Sequence, residues 1–361
     1  MGTVWNFAAG PAVMPAEVLA RIRDELTDFR GSGQSLLETP FTGAVFREIV
    51  ARAEADLRTL LSIPDDYAVL FLQGGASAQF ALLPLNLLGE AKQADYIETG
   101  YWSRKCIAEA TRFCAVHVAA SAADSGFDRI PDPRTWQVSP GAAYLHITGN
   151  ETADGVEYSW TPVRHRTPLA ADMTSNFLTR PLDVASFGLI YASAQKNLGP
   201  AGLTIVIVRR DLLDRERPGT PAVFSYRRQA EAGSMLNTPP TFAVYVTGLV
   251  LQWVRAQGGL VTMEERSLRK SALVYAAIDG SEGFYRCPVL PEFRSRVNVC
   301  FRLRDESITE RFLDQAQAQG FLNLKGHSKV GGIRASLYNA MPEQGAAALA
   351  AFMVEFANRW G

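Results

Sequence analysis

Lys196 stands in a setting that could make a lysine chemically reactive. It follows a short apolar run at 189–192 and lies in a glycine- and proline-rich segment, SAQKNLGPAG at 193–202. Burial disfavours the charged form of a lysine and lowers its pKa, and a neutral amine can attack a carbonyl carbon. One interpretation is therefore a lysine that forms a Schiff base with a carbonyl group. The other is a lysine that only caps the loop, which spacing alone favours.

Asp172 ends another short apolar run, at 169–171, one strand–helix unit before Lys196. Ligands of open α/β sheets bind at the carboxyl ends of the strands, so the two side chains could lie on neighbouring strand ends. A carboxylate beside a pyridinium nitrogen and a lysine in a Schiff base are the two polar anchors that pyridoxal phosphate needs. Asp172 could instead be a turn residue that bonds its own backbone. When Asp172 is considered together with Lys196, the two interpretations of Asp172 are about equally favoured.

Two more segments could contact a planar, phosphorylated ligand. QGGASA at 73–78 follows an apolar run, and its glycines would let the backbone N–H groups of a helix start approach an anion. It matches neither of the glycine-rich nucleotide motifs, and a plain strand-to-helix turn would explain it equally well. Trp102 follows the apolar run at 94–97 and could stack on a flat cofactor, although a core or interface tryptophan is commoner.

These candidates lie at the ends of segments whose patterning predicts an α/β fold. Compact apolar runs predict strands at 67–72, 94–97, 115–118, 142–147, 169–171, 189–192 and 202–208. Helical spacing predicts helices at 15–30, 44–61, 76–88 and 103–112. Strands that alternate with helices indicate a mostly parallel central sheet wrapped by helices.

The pattern changes after residue 255. Helical stretches at 259–280, 306–319 and 343–359 flank strand-like runs at 298–302 and 333–337, which indicates a smaller α+β domain. A nearly all-apolar helix at 242–254 is expected to bridge the two parts or to pack in an interface. We therefore predict a large cofactor-binding domain at 16–257 and a small domain made of 1–15 and 258–361.

Composition excludes several classes of protein. Of 361 residues, 47% are hydrophobic and the net charge is −1, which argues against disorder and against attraction to nucleic acid or an acidic membrane. The four cysteines form no CxxC pair, so no zinc ribbon or other metal site is expected. The chain start lacks the pattern of a secretory signal, and the longest apolar run, 241–254, is shorter than the roughly 20 residues of a membrane span. A cytoplasmic protein is expected.

Taken together, these segments resemble the phosphoserine aminotransferase family, which are class V pyridoxal-phosphate enzymes of the aspartate-aminotransferase fold. The matching stretches run nearly from end to end. They are NFAAGPA at 6–12, QGG at 73–75, GYW at 100–102, NET at 150–152, AQKNLGPAG at 194–202, NTPPT at 237–241 and GGIRASLYN at 331–339. The resemblance implies a transferase of fold type I that uses pyridoxal 5′-phosphate.

The resemblance also implies a role for each matching position around the cofactor ring. Lys196 matches the lysine that holds the cofactor covalently, and Asp172 matches the carboxylate that pairs with the ring nitrogen. These two are the catalytic residues that the resemblance implies. Trp102 matches the aromatic ring that stacks on the cofactor, and Thr152 matches the hydroxyl near its phenolic oxygen.

Other positions match contacts to the cofactor phosphate and to the substrate. The phosphate contacts are Ala76, Ser77 and Gln195, with Asn237 and Thr238 reaching that phosphate from a second subunit. A homodimer with shared active sites is therefore implied. Arg334 matches the arginine that clamps the substrate α-carboxylate, and its planar fork suits two parallel bonds to such a group.

The chain departs from the family at the distal end of the substrate site. The family usually has a His-Arg pair where this chain has Phe41 and Thr42, and an arginine where this chain has Ser328 after His327. His327 is thus the substrate-binding position that is retained. Charge-assisted bonds contribute roughly 1.5–3 kcal/mol each, so these changes would weaken recognition of a phosphate. Lys329 or another nearby cation could instead replace the missing pair.

We therefore expect an aminotransferase of serine biosynthesis that uses glutamate to convert 3-phosphohydroxypyruvate to phosphoserine. Lys196 would move a proton between the substrate Cα and the cofactor C4′, while Asp172 keeps the ring nitrogen protonated. One alternative is a paralogous aminotransferase that acts on an unphosphorylated or less anionic 2-oxo acid in a specialised pathway. Another is a non-catalytic sensor that binds pyridoxal phosphate, against which the intact set of Lys196, Asp172 and Arg334 argues.

Overall fold

The computed structural model describes residues 3–162 and 166–361. Within them the strands are β1 (Trp5–Asn6), β2 (Tyr67–Leu72), β3 (Gln93–Glu98), β4 (Ala115–Ser121), β5 (Leu145–Thr148), β6 (Asn150–Glu151), β7 (Val156–Glu157), β8 (Leu169–Asp172), β9 (Leu189–Ser193), β10 (Thr204–Arg209), β11 (Tyr285–Arg286), β12 (Asn298–Leu303), β13 (Phe321–Leu322), β14 (Lys325–His327) and β15 (Gly331–Ser336). The α-helices are α1 (Ala16–Glu25), α2 (Ala44–Leu61), α3 (Gly75–Leu87), α4 (Tyr101–Ala110), α5 (Tyr226–Glu231), α6 (Thr241–Ala256), α7 (Gly259–Asp279), α8 (Thr309–Ala318) and α9 (Glu343–Trp360).

A seven-stranded sheet with the order β2-β10-β9-β8-β5-β3-β4 forms the centre of the fold. Strands β9, β8, β5, β3 and β4 pair in parallel, which confirms the predicted α/β class with a mostly parallel sheet. β10 is the exception, since it runs antiparallel to both β9 and β2. The connection at 194–203 is shorter than the dozen or more residues that a parallel crossover needs, so the chain turns straight back.

Several predicted elements agree with the structure residue by residue, and others end at different positions. α2 and β2 have the predicted bounds. α1 ends at Glu25, before the predicted position 30. The Leu26 carbonyl accepts a hydrogen bond from the Ser35 hydroxyl at 2.6 Å, and Arg30 has φ of +55°. Side-chain bonds of this kind compete with helical ones, so the chain leaves the helix here.

A second sheet, with the order β11-β12-β15-β14, carries the C-terminal part of the chain, and its strand pairs are antiparallel. α7 and α9 pack against each other over its apolar core. β1 pairs in parallel with β13, so the start of the chain lies with the C-terminal part. The division into a large domain at 16–257 and a small domain made of 1–15 and 258–361 stays a prediction. Residues 1, 2 and 163–165 of these ranges lie outside the described residues.

α6 is the apolar helix that the sequence predicted at 242–254. Its inner face is buried. It packs against α2 of the predicted large domain and against α7 of the predicted small domain. Among residues 3–162 and 166–361, helices long and apolar enough to cross a membrane are absent.

Candidate active site

Asp172 and Lys196 meet at the carboxyl ends of β8 and β9. These strands are parallel neighbours, with Asp172 opposite Tyr191 on β9. Lys196 follows three residues after the end of β9, and both side chains line one cavity of about 140 Å³. The remaining wall residues are Gly75, Ala76, Ser77, Trp102, Thr148, Asn150, Thr152, Thr174, Ser175 and Gln195. The structure thus confirms that the two predicted side chains share one edge of the sheet.

The Lys196 amine is held at one point of this cavity. Its Nζ donates a hydrogen bond to Thr152 Oγ1 at 2.6 Å and lies 5.9 Å from the ring centroid of Trp102. The pKa of Lys196 is lowered from 10.5 to about 8, chiefly by burial; the charge of Asp172 opposes this shift and that of Arg334 adds to it. A substantial fraction of this amine is therefore neutral near physiological pH, as a nucleophilic lysine requires.

Asp172 is a buried carboxyl group at the floor of the same cavity. Its Oδ1 accepts a hydrogen bond from the Thr174 N–H at 2.8 Å. Burial raises the pKa of Asp172, whereas the Thr174 bond and the positive charge of Lys196 oppose that rise. A buried carboxyl of this kind needs a cationic partner to stay ionised, and a protonated ring nitrogen would provide one.

The start of α3 offers a site for an anion on the cavity wall. Gly74 and Gly75 have φ of +99° and +69°, and a Cβ on Gly74 would come 2.5 Å from that of Ala78. These two glycines turn the chain from β2 into α3 so that Ala76 and Ser77 lie in the first helical turn. N–H groups in a first turn lack partners within the helix, and the helix dipole favours a negative charge there.

Arg334 and His327 lie on β15 and β14, beside the cavity. Arg334 Nη1 donates to the Thr152 carbonyl at 3.3 Å, while its Nε is buried without a hydrogen-bond partner among the described residues. The His327 ring lies against Tyr101, with 4.3 Å between centroids, and 5.9 Å from the ring of Trp102. Burial lowers the pKa of His327, and the charges of Arg334 and Lys329 add to this effect.

Besides Arg334 and His327, which lie beside this cavity, four more predicted site residues do not line it. Phe41 is half-buried and packs on the core under the central sheet, and Thr42 is exposed. Asn237 and Thr238 are exposed as well, and the Thr238 carbonyl accepts a hydrogen bond from Gln73 Nε2 at 2.8 Å. Their predicted roles at a cofactor or substrate stay predictions, and those of Asn237 and Thr238 require a second subunit.

Glu151 and Asp154 are parts of the site that the sequence reasoning did not assign. The Glu151 carboxyl accepts hydrogen bonds from the N–H groups of Trp102 at 2.7 Å and Ser103 at 2.9 Å. Burial and the charge of Asp154 raise the pKa of Glu151 to about 7. Glu151 belongs to the NET stretch at 150–152, but nothing in its sequence neighbourhood marks the carboxyl as buried.

The residues present fit pyridoxal phosphate. Trp102 Nε1, Thr148 Oγ1 and Asn150 Oδ1 are buried on this wall without a hydrogen-bond partner among the described residues. Because buried polar atoms are normally hydrogen-bonded, such a wall suits a polar ligand. An amine, a carboxyl, an indole ring and a helix N-terminus are also the groups that this cofactor requires.

Comparison with known proteins agrees with this assignment of the cofactor. The family model described as Aminotransferase class-V matches residues 4–349. The phosphoserine aminotransferase of Laribacter hongkongensis is 54% identical over 99% of this chain and 100% of its own length. That of Nitrosomonas europaea is 52% identical over 99% of both chains. The structure of phosphoserine aminotransferase from Bacillus circulans subsp. alkalophilus superimposes with a TM-score of 0.97 at 43% identity, covering 99% of both chains.

The chain belongs to the class-V aminotransferase family. A second solved structure of a phosphoserine aminotransferase, which concerns radiation damage of its Schiff base, matches with a TM-score of 0.98 at 42% identity, over 99% of this chain and 100% of that one. With the site described above, this similarity makes the chain a pyridoxal-phosphate-dependent aminotransferase, as predicted from the sequence. Its substrates are small molecules.

Proposed function

We propose that this aminotransferase transfers the amino group of glutamate to 3-phosphohydroxypyruvate, forming phosphoserine and 2-oxoglutarate. The observation that carries the proposal is the cavity in which Lys196, Asp172 and Trp102 meet. End-to-end similarity to phosphoserine aminotransferases, at 54% identity in one case, supports the choice of substrates. Such a reaction places the chain in serine biosynthesis.

We assign four side chains to the cofactor ring. When bound, pyridoxal phosphate supplies an aldehyde carbon for amine exchange and a ring that accepts the electron pair released at the substrate Cα. Lys196 would bond the aldehyde carbon, and Asp172 would keep the ring nitrogen protonated. Trp102 would cover one face of the ring, and Thr152 would donate its hydroxyl hydrogen to the phenolic oxygen.

Lys196 also has the properties of the group that moves the substrate proton. With a pKa of about 8, its amine can both accept and return a proton near neutral pH. The 2.6 Å bond to Thr152 Oγ1 fixes Nζ on the cavity wall. As a free amine, Lys196 Nζ would accept the proton released at the substrate Cα and later return it.

The anionic groups have separate binding positions. The first-turn N–H groups of α3, with Ser77 and Gln195, would hold the cofactor phosphate. Gln195 is oriented by a 2.5 Å hydrogen bond from Ser193 Oγ to its Oε1. Arg334 would clamp the substrate α-carboxylate, because its Nε is a donor with no hydrogen-bond partner among the described residues.

A homodimer completes this proposal. Asn237 and Thr238 are exposed and do not line the cavity of their own chain, which suits residues that serve the phosphate site of another subunit. We also propose the division into a large cofactor-binding domain at 16–257 and a small domain made of 1–15 and 258–361. A cytoplasmic location is proposed because the substrates belong to amino-acid biosynthesis.

Phe41 and Thr42 favour a second candidate, a paralogue that acts on a less anionic 2-oxo acid. Neither side chain is cationic, and Phe41 packs on the core rather than facing the cavity. His327 would then be the principal distal contact. In the main proposal, His327 acts together with Lys329 or another cation at the substrate phosphate.

An acceptor panel separates the two candidates. Purified protein loaded with pyridoxal phosphate is given glutamate and one 2-oxo acid, and 2-oxoglutarate is quantified. The main proposal expects 3-phosphohydroxypyruvate to give the highest kcat/KM, above hydroxypyruvate and pyruvate. A higher kcat/KM with an unphosphorylated acid would support the paralogue, and no turnover with any acid would contradict both.

A further inference from the structure

The turn between β6 and β7 contacts three residues of the active site at once. Thr152 Oγ1 accepts a hydrogen bond from Lys196 Nζ, and the Thr152 carbonyl accepts one from Arg334 Nη1. The flanking carboxyls of Glu151 and Asp154 point the other way, to the start of α4. This turn therefore connects the lysine, the arginine and the helix that carries the tryptophan.

The two carboxyls bind the first three N–H groups of α4. Asp154 Oδ2 accepts from Tyr101 N at 2.9 Å, and the two oxygens of Glu151 accept from Trp102 N at 2.7 Å and Ser103 N at 2.9 Å. These N–H groups have no partners within the helix, and negative groups at a helix start are stabilised by the dipole. α4 is thus capped by side chains about fifty residues further along the chain rather than by its own preceding residues.

The close packing around Gly100 shows how tightly this contact is built. A Cβ at position 100 would lie 2.6 Å from Asp154 Oδ2 and 2.8 Å from Glu151 Cδ. Any side chain there would push the two carboxyls off the helix. Glu151 itself is fully buried, and Thr99 Oγ1 donates a third hydrogen bond to it at 3.2 Å.

We propose that Glu151 and Asp154 are positioning residues that fix the Trp102 ring above the cofactor by binding the start of α4. This inference rests on the cofactor site of the proposed function. The Trp102 backbone N–H donates a hydrogen bond to the Glu151 carboxyl. A shift of that carboxyl therefore moves the Trp102 ring relative to Lys196. Loss of one of these hydrogen bonds leaves a buried N–H without its acceptor, which would loosen the helix start and weaken cofactor binding by about tenfold.

The test uses a substitution that keeps the shape of the side chain and removes one hydrogen-bond acceptor. In Glu151→Gln, an amide NH₂ replaces one carboxyl oxygen, so one of the bonds to Trp102 N or Ser103 N is lost. Asp154→Ala removes the acceptor of the Tyr101 N–H, which an asparagine amide oxygen would preserve. Asp132→Asn is the control, because Asp132 accepts the Arg134 N–H at 2.9 Å but is exposed and off the cavity wall.

Hydrogen exchange of the cofactor-free protein is measured first, followed by the Kd for pyridoxal phosphate. We expect residues 99–106 to exchange about tenfold faster in Glu151→Gln, with other segments unchanged, and the Kd to rise about tenfold. In a Trp102→Ala background, Glu151→Gln should have less than a twofold effect on the Kd, because it acts through the indole. Asp132→Asn should match wild type in both measurements.

Three results would overturn the inference. They are unchanged exchange in 99–106, faster exchange throughout the chain, and an equal effect of Glu151→Gln on the Kd with and without Trp102. If Glu151→Gln does not fold, Asp154→Ala decides by the same criteria. Failure of the wild-type protein to capture pyridoxal phosphate on Lys196 would instead contradict the proposed function, and exchange at 99–106 would still report on the helix contact.

Discussion

The lowered pKa of Lys196 gives a quantitative prediction for the cofactor-free protein. A lysine with a pKa of about 8 is roughly one-tenth neutral at pH 7, whereas one with an ordinary pKa of 10.5 is neutral in about three molecules per ten thousand. The amine should therefore be about 300-fold more available for reaction. Its rate of capture of pyridoxal phosphate should rise nearly tenfold per pH unit below 8 and level off above it.

The pH at which the capture rate reaches half of its plateau is the midpoint of this titration. Two substitutions should move this midpoint in opposite directions. The negative charge of Asp172 raises the pKa of Lys196, so Asp172→Asn should lower the midpoint. The positive charge of Arg334 lowers that pKa, so Arg334→Gln should raise it. The assay is brief exposure at pH 6 to 10, borohydride reduction, and quantification of the labelled Lys196 peptide by mass spectrometry.

Lys270 is an internal control for this reasoning. Burial lowers its pKa as well, to about 7, yet its Nζ donates to the carbonyls of Leu337, Tyr338 and Met341 at 2.7–3.0 Å. It lies outside the cavity that Lys196 lines, so it should remain unlabelled. A midpoint near 10.5 at Lys196, shifts of the same sign in the two variants, or labelling of Lys270 would refute the argument.

Three other predictions concern the assembly and the substrate. The active form should be a dimer whose Asn237→Ala and Thr238→Ala variants bind the cofactor more weakly, so a fully active monomer in sedimentation at assay concentration would contradict the shared site. The double change Phe41→His with Thr42→Arg should raise kcat/KM for 3-phosphohydroxypyruvate about tenfold, from one added charge-assisted bond; a decrease would show that other cations already serve the phosphate. Arg334→Lys should raise KM for both substrates at least tenfold, because a lysine cannot make the paired bonds of a guanidinium. An unchanged KM in steady-state kinetics would show that Arg334 does not bind the carboxylate.

Local patterning was enough to predict the central elements. The apolar run at 67–72 and the helical spacing at 44–61 gave β2 and α2 with their bounds, because both are strongly patterned. Asp172 and Lys196 could be placed together since side chains after parallel strands meet at one edge of the sheet. The antiparallel direction of β10 was not predicted, because the run at 202–208 is equally apolar in either direction.

Long-range contacts account for what the sequence did not show. Glu151 and Asp154 cap α4 across about fifty residues, and a carboxyl shows no sign of burial in its immediate neighbourhood. The end of α1 at Glu25 depends on the hydrogen bond from Ser35 to the Leu26 carbonyl, which no periodicity encodes. Phe41 and Thr42 were predicted to line the substrate site by resemblance alone, and the wall of the cavity around Lys196 does not include them.

Transfer of a labelled amino group tests the central claim most directly. Wild-type protein and its Lys196→Ala variant, each incubated with pyridoxal phosphate, are given ¹⁵N-glutamate and 3-phosphohydroxypyruvate, and the products are resolved by mass spectrometry. The account predicts ¹⁵N-phosphoserine from the wild type and a rate at least a thousandfold lower from the variant, because both the covalent attachment and the proton transfer depend on the Lys196 amine. Labelled phosphoserine at equal rates from both proteins, or none from the wild type while another 2-oxo acid is aminated, would contradict it.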